Sequence, residues 1–201
     1  PDSPVKGAIS SEGIPTLEEV IHWSVKNDQL MLFDVKDHSD KMVGIILDLF
    51  QKYNIYDKAI VCSFYPWVVY KVKRRSPQIL TGLTWRQHFA SHKSNILPDP
   101  RYTGFTQYAA ELIDYLYIPT VHSYLPSFLG VDMILTNEHD ICPEYVQAMK
   151  RKNIRVSAWT VNNIVQAQWM ISELGISILT DFPFKKEEIR KLDSFIRNGY
   201  N

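Results

Sequence analysis

Short apolar runs alternate with amphipathic segments along most of this chain, and that alternation limits the fold more than any other feature. Residues 30–36, 59–64, 78–84, 131–137, 155–161 and 176–181 read as strands. Between the first two, residues 39–53 put Met42, Val43, Ile46, Leu49, Phe50 and Tyr53 on one helical stripe. Thr16-Leu17-Glu18-Glu19 reads as a capping box whose helix buries Leu17, Val20, Ile21 and Ser24. Pro66 opens a helix to about Arg75, and Pro143 opens one that Asn153 stops. Asn162 or Asn163 caps another that ends at Gly175, and a charged helix over 186–197 closes the chain.

Such alternation predicts a parallel sheet clothed in helices, and the strands are nearly continuous in apolar residues, as burial of both faces demands. The fold class is α/β, either an open doubly wound sheet or a barrel. No glycine-rich phosphate loop follows a strand, and the chain has only 8 glycines, which weighs against the dinucleotide-binding sheet. A TIM-type (β/α)8 barrel takes eight units over roughly 250 residues. About six are legible over residues 1–201, so a barrel here would be a single partial one, two units short. The opening Pro-Asp-Ser-Pro, without Met or an apolar run, reads as a chain that starts mid-domain, soluble and without a signal peptide.

Residues 85–130 depart from the pattern as an aromatic-rich insertion. Its second part, 105–130, carries Tyr108, Tyr115, Tyr117 and Tyr124 together with Glu111, Asp114, Pro119 and Pro126. Those carboxylates and prolines exclude a transmembrane span. Two helices packed on the barrel is the plain expectation; an amphipathic contact with a membrane surface is the sharper one.

The 22 basic and 22 acidic side chains cancel, which argues against a nucleic-acid surface but not against a small anionic substrate. Cys62 lies in an apolar strand far from Cys142, so both are expected to be reduced.

In the first strand, alternation puts Leu30, Leu32, Asp34 and Lys36 on one face and Met31, Phe33 and Val35 on the other. The second set suits packing under helices. The first turns polar at the C-terminal end, where barrels open into their active sites. A carboxylate followed by an ammonium there suits a cation and a phosphate, or else a solvated ion pair. Ser63, Phe64 and Thr84 end the next strands and are weak signals alone. Trp159 suits the apolar wall of a pocket, Asn162 a helix cap, and Asp181 an acceptor or turn cap. The six histidines show no metal-ligand spacing, and His38 reads as a surface-loop residue.

Ile14-Pro15-Thr16-Leu17-Glu18-Glu19-Val20, Phe33-Asp34-Val35-Lys36, Cys62-Ser63-Phe64, Trp159-Thr160-Val161-Asn162 and Leu179-Thr180-Asp181-Phe182-Pro183 follow one another over residues 14–184. In that order they resemble the glycerophosphodiester phosphodiesterase family, and most its membrane-associated animal branch, where the third metal carboxylate is Asp. The resemblance implies a hydrolase of lipid metabolism that cleaves glycerophosphodiesters such as glycerophosphoinositol to glycerol phosphate and an alcohol, assisted by a divalent cation, Mg²⁺ rather than Ca²⁺. Asp34 would ligate the metal, Lys36 would hold the phosphoryl oxygens, and Phe64 and Trp159 would line the substrate pocket. It also implies membrane association of the full-length protein, with 105–130 as the contact. The family's His-Arg-Gly and Glu-x-Asp segment, expected on the first two barrel strands, is missing, so the chain alone is expected to be inactive. A non-catalytic barrel module and a lysophospholipase D-type phosphodiesterase, acting on lysophospholipids, are the alternatives.

Overall fold

Six strands pair in the order in which the chain makes them, β1-β2-β3-β4-β5-β6, every neighbour parallel. This computed structural model describes residues 13–94 and 99–182. The strands are β1 (Met31–Asp34), β2 (Ala59–Ser63), β3 (Leu80–Trp85), β4 (Met133–Asn137), β5 (Arg155–Trp159) and β6 (Ser177–Ile178). The helices are α1 (Leu17–Lys26), α2 (Asp40–Tyr53), α3 (Pro66–Arg75), α4 (Phe105–His122), α5 (Leu125–Leu129), α6 (Pro143–Arg151) and α7 (Ile164–Ser172). Strand after helix in one direction, with side chains alternating between an outer helix-covered face and an inner concave one, is part of a β/α barrel.

Local chemistry sets the boundaries. The Glu19 amide donates to Thr16 Oγ1 at 3.3 Å and the Thr16 amide to Glu19 Oε2 at 2.7 Å, closing the expected capping box. Ser39 caps α2, and Pro66 and Pro143 stand at helix first turns. Asn153 at φ 59° stops α6 as expected, whereas α7 ends at Ser172 and leaves Gly175, at φ 63°, to turn the chain into β6.

The outer face holds two apolar clusters. Met31, Val35 and Val61 pack under α1, α2 and α3 with Ile21, Ile46 and Phe50. Leu83, Trp85, Ile134, Val156 and Ala158 form the second with Tyr145 and Met149 of α6 and Met170 of α7. The concave face is tight at its middle: a Cβ on Gly82 would lie 2.5 Å from Leu135 Cδ1 and 2.7 Å from Cys62 Sγ, so only glycine fits there. Cys62 and Cys142 are free, and burial, with Asp34 nearby as the lesser cause, pushes the Cys62 thiol up to about 12.

Several expectations need correction. Of the α1 residues expected inside, Ile21 and Ser24 are buried, but Leu17 and Val20 remain 42% and 39% exposed. They line a groove of about 510 Å³ beside β1, with Met42 and Leu32. The Met31 amide bonds Lys58 O and the Val35 amide bonds Cys62 O, so the backbone groups of Leu32 and Asp34 face the sheet's outer edge, where no described strand covers them. Helical periodicity marks an apolar stripe but not whether a neighbour arrives to cover it. Trp85 belongs to β3 rather than to a loop, and β6 is only two residues long. The helix expected over 186–197 lies outside the described residues.

Candidate active site

The C-terminal ends of the strands bring together Asp34, Lys36, Phe64 and Trp159. Asp34 and Lys36 stand on the concave face at the end of β1, opposite in parity to Met31, Phe33 and Val35, which pack beneath the helices. Lys36 Nζ donates to Asp34 Oδ2 at 2.5 Å, with the two side chains 76% and 40% exposed. At that exposure the pair adds little to stability, and its charges stay accessible. The register pairs Asp34 with Cys62 and the Val35 amide bonds Cys62 O, so the ends of β1 and β2 run side by side.

Phe64 is placed by its neighbours. Ser63 Oγ donates to Val35 O at 2.7 Å and accepts from the Tyr65 amide at 3.1 Å, stitching the end of β2 to that of β1. Ser63 is therefore structural, and Phe64 projects to the concave side. Trp159 approaches it from β5, ring centroids 6.0 Å apart and 75° between planes, its Nε1 donating to Leu135 O at 3.2 Å. Thr160, next in sequence, has φ 63°, an uncommon conformation for a β-branched residue and a local strain at the strand's end.

One participant escaped the sequence reading. Phe89, in the irregular segment after β3, lies flat on Phe64 with centroids 4.6 Å apart and 14° between planes. Arg86 and Arg101 set their guanidinium carbons 5.6 and 5.4 Å from its centroid. An aromatic in a stretch without periodicity carries no signal; an Arg directly after a strand was the nearest hint.

Other expected residues fall elsewhere. The helix cap is Asn163, which accepts from the Val165 and Gln166 amides. Asn162 instead joins the ends of β5 and β6: its Oδ1 accepts from the Asp181 amide at 2.9 Å and Thr180 Oγ1 at 3.0 Å, and its Nδ2 donates to Asp181 Oδ2 at 2.9 Å. His38 packs against the Tyr65 and Trp67 rings. A Glu-x-Asp triplet does occur, Glu138–Asp140, in a 3-10 turn after β4. Asp140 accepts from the Gln87 amide at 3.2 Å, and burial holds its carboxyl above the usual range. Among the described residues no three His, Cys, Asp or Glu side chains converge as a metal site.

The profile of the glycerophosphoryl diester phosphodiesterase family matches residues 2–185. The chain belongs to that family. It is 30% identical over 179 residues to glycerophosphodiester phosphodiesterase 1 of Mus musculus, covering 88% of this chain and 54% of that protein. With the Bos taurus protein of the same name it shares 32% over 173 residues, covering 85% and 52%. The chain thus spans about half the length of the curated relatives it matches. Among solved structures, an Oleispira antarctica phosphodiesterase in complex with the product sn-glycerol-3-phosphate superposes with a TM-score of 0.60 at 15% identity, covering 88% of this chain and 61% of that one. A glycerophosphodiester phosphodiesterase from Parabacteroides distasonis gives 0.59 at 17% identity, covering 89% and 63%. At such identity these two share the fold, a β/α barrel of which the described residues hold six strands.

Proposed function

We propose that this chain is one wall of a metal-assisted active site that hydrolyses glycerophosphodiesters to glycerol phosphate and an alcohol. The carrying observation is the Asp34–Lys36 pair on the concave face at a strand's C-terminal end, with the Phe64–Trp159 ring pair at the same end of β2 and β5. In this reading Lys36 releases Asp34 to meet the phosphoryl oxygens, opposing the negative charge that grows on them as water attacks phosphorus and the bond to the leaving alcohol breaks. Phe64 and Trp159 present apolar surface to the carbon skeleton of the substrate.

Asp34 fits a divalent cation as a single hard oxygen ligand, and one carboxylate is too few for a site. The other ligands, and the groups that move protons, belong on the family's first two strands. A site with few protein ligands suits Mg²⁺, which keeps its waters, better than Ca²⁺. When bound, the cation would polarise the phosphoryl group and activate water. Segment 85–130 is read as an insertion carried on this partial barrel. The test is hydrolysis of glycerophosphoinositol by the full-length protein: chelation and Asp34→Ala should each abolish it, and Mg²⁺ should restore only the chelated enzyme. Full turnover by Asp34→Ala, or by the isolated chain, would overturn this reading.

A second element of the reading rests on α4. Its inner stripe, Ala110, Asp114 and Val121, is buried, while Phe105, Tyr108, Leu112, Tyr115 and Leu116 line the opposite side in the open. A helix apolar on both sides, with tyrosines 71% and 75% exposed at 108 and 115, suits the interfacial layer of a membrane. That surface would also deliver lysophospholipid substrates. Among the described residues no helix is long and apolar enough to cross a membrane. Flotation of the chain with phosphatidylcholine–phosphatidylserine vesicles, lost in Tyr108→Ser/Leu112→Ser/Tyr115→Ser, checks this contact.

A further inference from the structure

The aromatic wall has a feature that the phosphate chemistry does not require. Phe89 comes from neither a strand nor a helix, yet its ring is held from four sides. Phe64 lies under it, and Tyr65 meets it edge-on at 6.3 Å. Arg86, buried at the end of β3, donates through Nη1 to Gln87 O and through Nη2 to His92 O at 2.7 Å, gathering the carbonyls around the ring. Arg101 donates through Nε to Phe89 O at 3.1 Å and His92 O at 2.9 Å.

The amides of the same segment go to one carboxylate. Asp114 of α4, only 4% exposed, accepts from the Ala90 amide at 2.9 Å, the Ser91 amide at 2.8 Å and Ser91 Oγ at 2.5 Å. A buried carboxylate that collects three donors sets backbone position tightly, because losing it leaves the Ala90 and Ser91 amides without their acceptor, while Ser91 Oγ keeps His92 Nδ1 at 2.7 Å. Arg86 supplies nearby opposite charge, and burial, with Arg101 second, lowers its pKa. Carbonyls to arginines on one side and amides to an aspartate on the other fix the backbone that carries the Phe89 ring. All three residues are nevertheless only half-buried, so part of their apolar surface stays open.

We propose that Phe89 is a specificity-determining residue, completing with Phe64 and Trp159 the wall that receives the leaving alcohol, and that Asp114 is the positioning residue that holds it there. The proposal rests on the phosphodiesterase reading above. Flat rings reward a leaving group with apolar C–H surface and give nothing to a methyl group too small to span them. α4 therefore reaches the substrate through a side chain that never touches it.

The test uses the full-length protein and two esters that share glycerol and phosphate: glycerophosphohexanol and glycerophosphomethanol. Phe89→Ala should raise KM for the hexyl ester about tenfold and for the methyl ester about twofold or less, moving kcat less than KM. Phe89→Tyr should restore the preference. Asp114→Asn, which can no longer accept three bonds, should shift the preference the same way and speed amide exchange at Ala90 and Ser91 by about tenfold or more. Should Asp114→Asn fail to fold, the Phe89 variants decide alone. An equal KM rise for both esters would assign the wall to glycerol and overturn the proposal, as would an unchanged preference. The parent reading fails separately: no hydrolysis of either ester by the unaltered full-length protein would sink the phosphodiesterase assignment whatever Phe89 does, and full turnover by Lys36→Ala would remove only the phosphate role of Lys36.

Discussion

The two sides of the concave face are built on opposite plans. At β1, the Asp34 and Lys36 side chains pair with each other, stay 40% and 76% exposed, and adjoin a strand edge that no described strand covers. Across β2 to β5, Phe64, Phe89 and Trp159 are fixed by a stitched strand end, two arginines, a buried carboxylate and a carbonyl. The polar side carries charge with little local support, while the aromatic side is held in excess of what packing needs. Reactive charge tolerates mobility until a substrate arrives, whereas an apolar wall is worth most when its shape is set beforehand.

The contrast breaks most clearly at Lys36. Lys36→Ala in the full-length protein should cut kcat by about 10²- to 10³-fold, as expected for a lost oxyanion-stabilising group. Its melting temperature should stay put, because an exposed pair contributes about 0–1 kcal/mol. A large drop in stability would mean that the pair is a structural tie and the comparison is wrong. Gly82→Ala reverses the pattern: the new methyl meets Leu135 and Cys62, so urea unfolding should show a loss of about 1–3 kcal/mol. Thr160→Gly gives the smallest effect and sharpens the comparison. Removing a β-branched residue from φ 63° should raise stability by about 1 kcal/mol in thermal unfolding, while Trp159, now on a looser hinge, binds product less well.

Much of the framework was legible because each element carries its own punctuation. Thr16 and Glu19, Pro66, Pro143 and Asn153 mark helix ends by local chemistry that needs no distant partner. Parity in β1 likewise separated Asp34 and Lys36 from Met31 and Val35. What stayed hidden depends on segments meeting in space. Leu17 and Val20 stay exposed beside a strand edge that no described strand covers, and Asn162 found Asp181 across the ends of two strands instead of capping α7. Phe89 and Asp114 belong to a loop and a helix whose contact leaves no periodic trace. The aromatic side of the site was thus read only in part, as Phe64 and Trp159 without the ring that joins them.

The strand order also says something about how the molecule comes into being. Each strand pairs with the one made just before it, so the sheet can grow by one βα unit at a time onto an edge already in place. One step stands apart, since β4 must find β3 across residues 86–132, roughly twice the span from β1 to β2. Closing a loop twice as long costs only about 0.6 kcal/mol more, a small handicap in equilibrium terms. It does place a long wait between the first half of the sheet and the second. During it α3 already lies against β3, while the Phe89 segment, α4 and α5 arrive with the connection to β4, so bonds that later frame a pocket would first add to the cover of that strand.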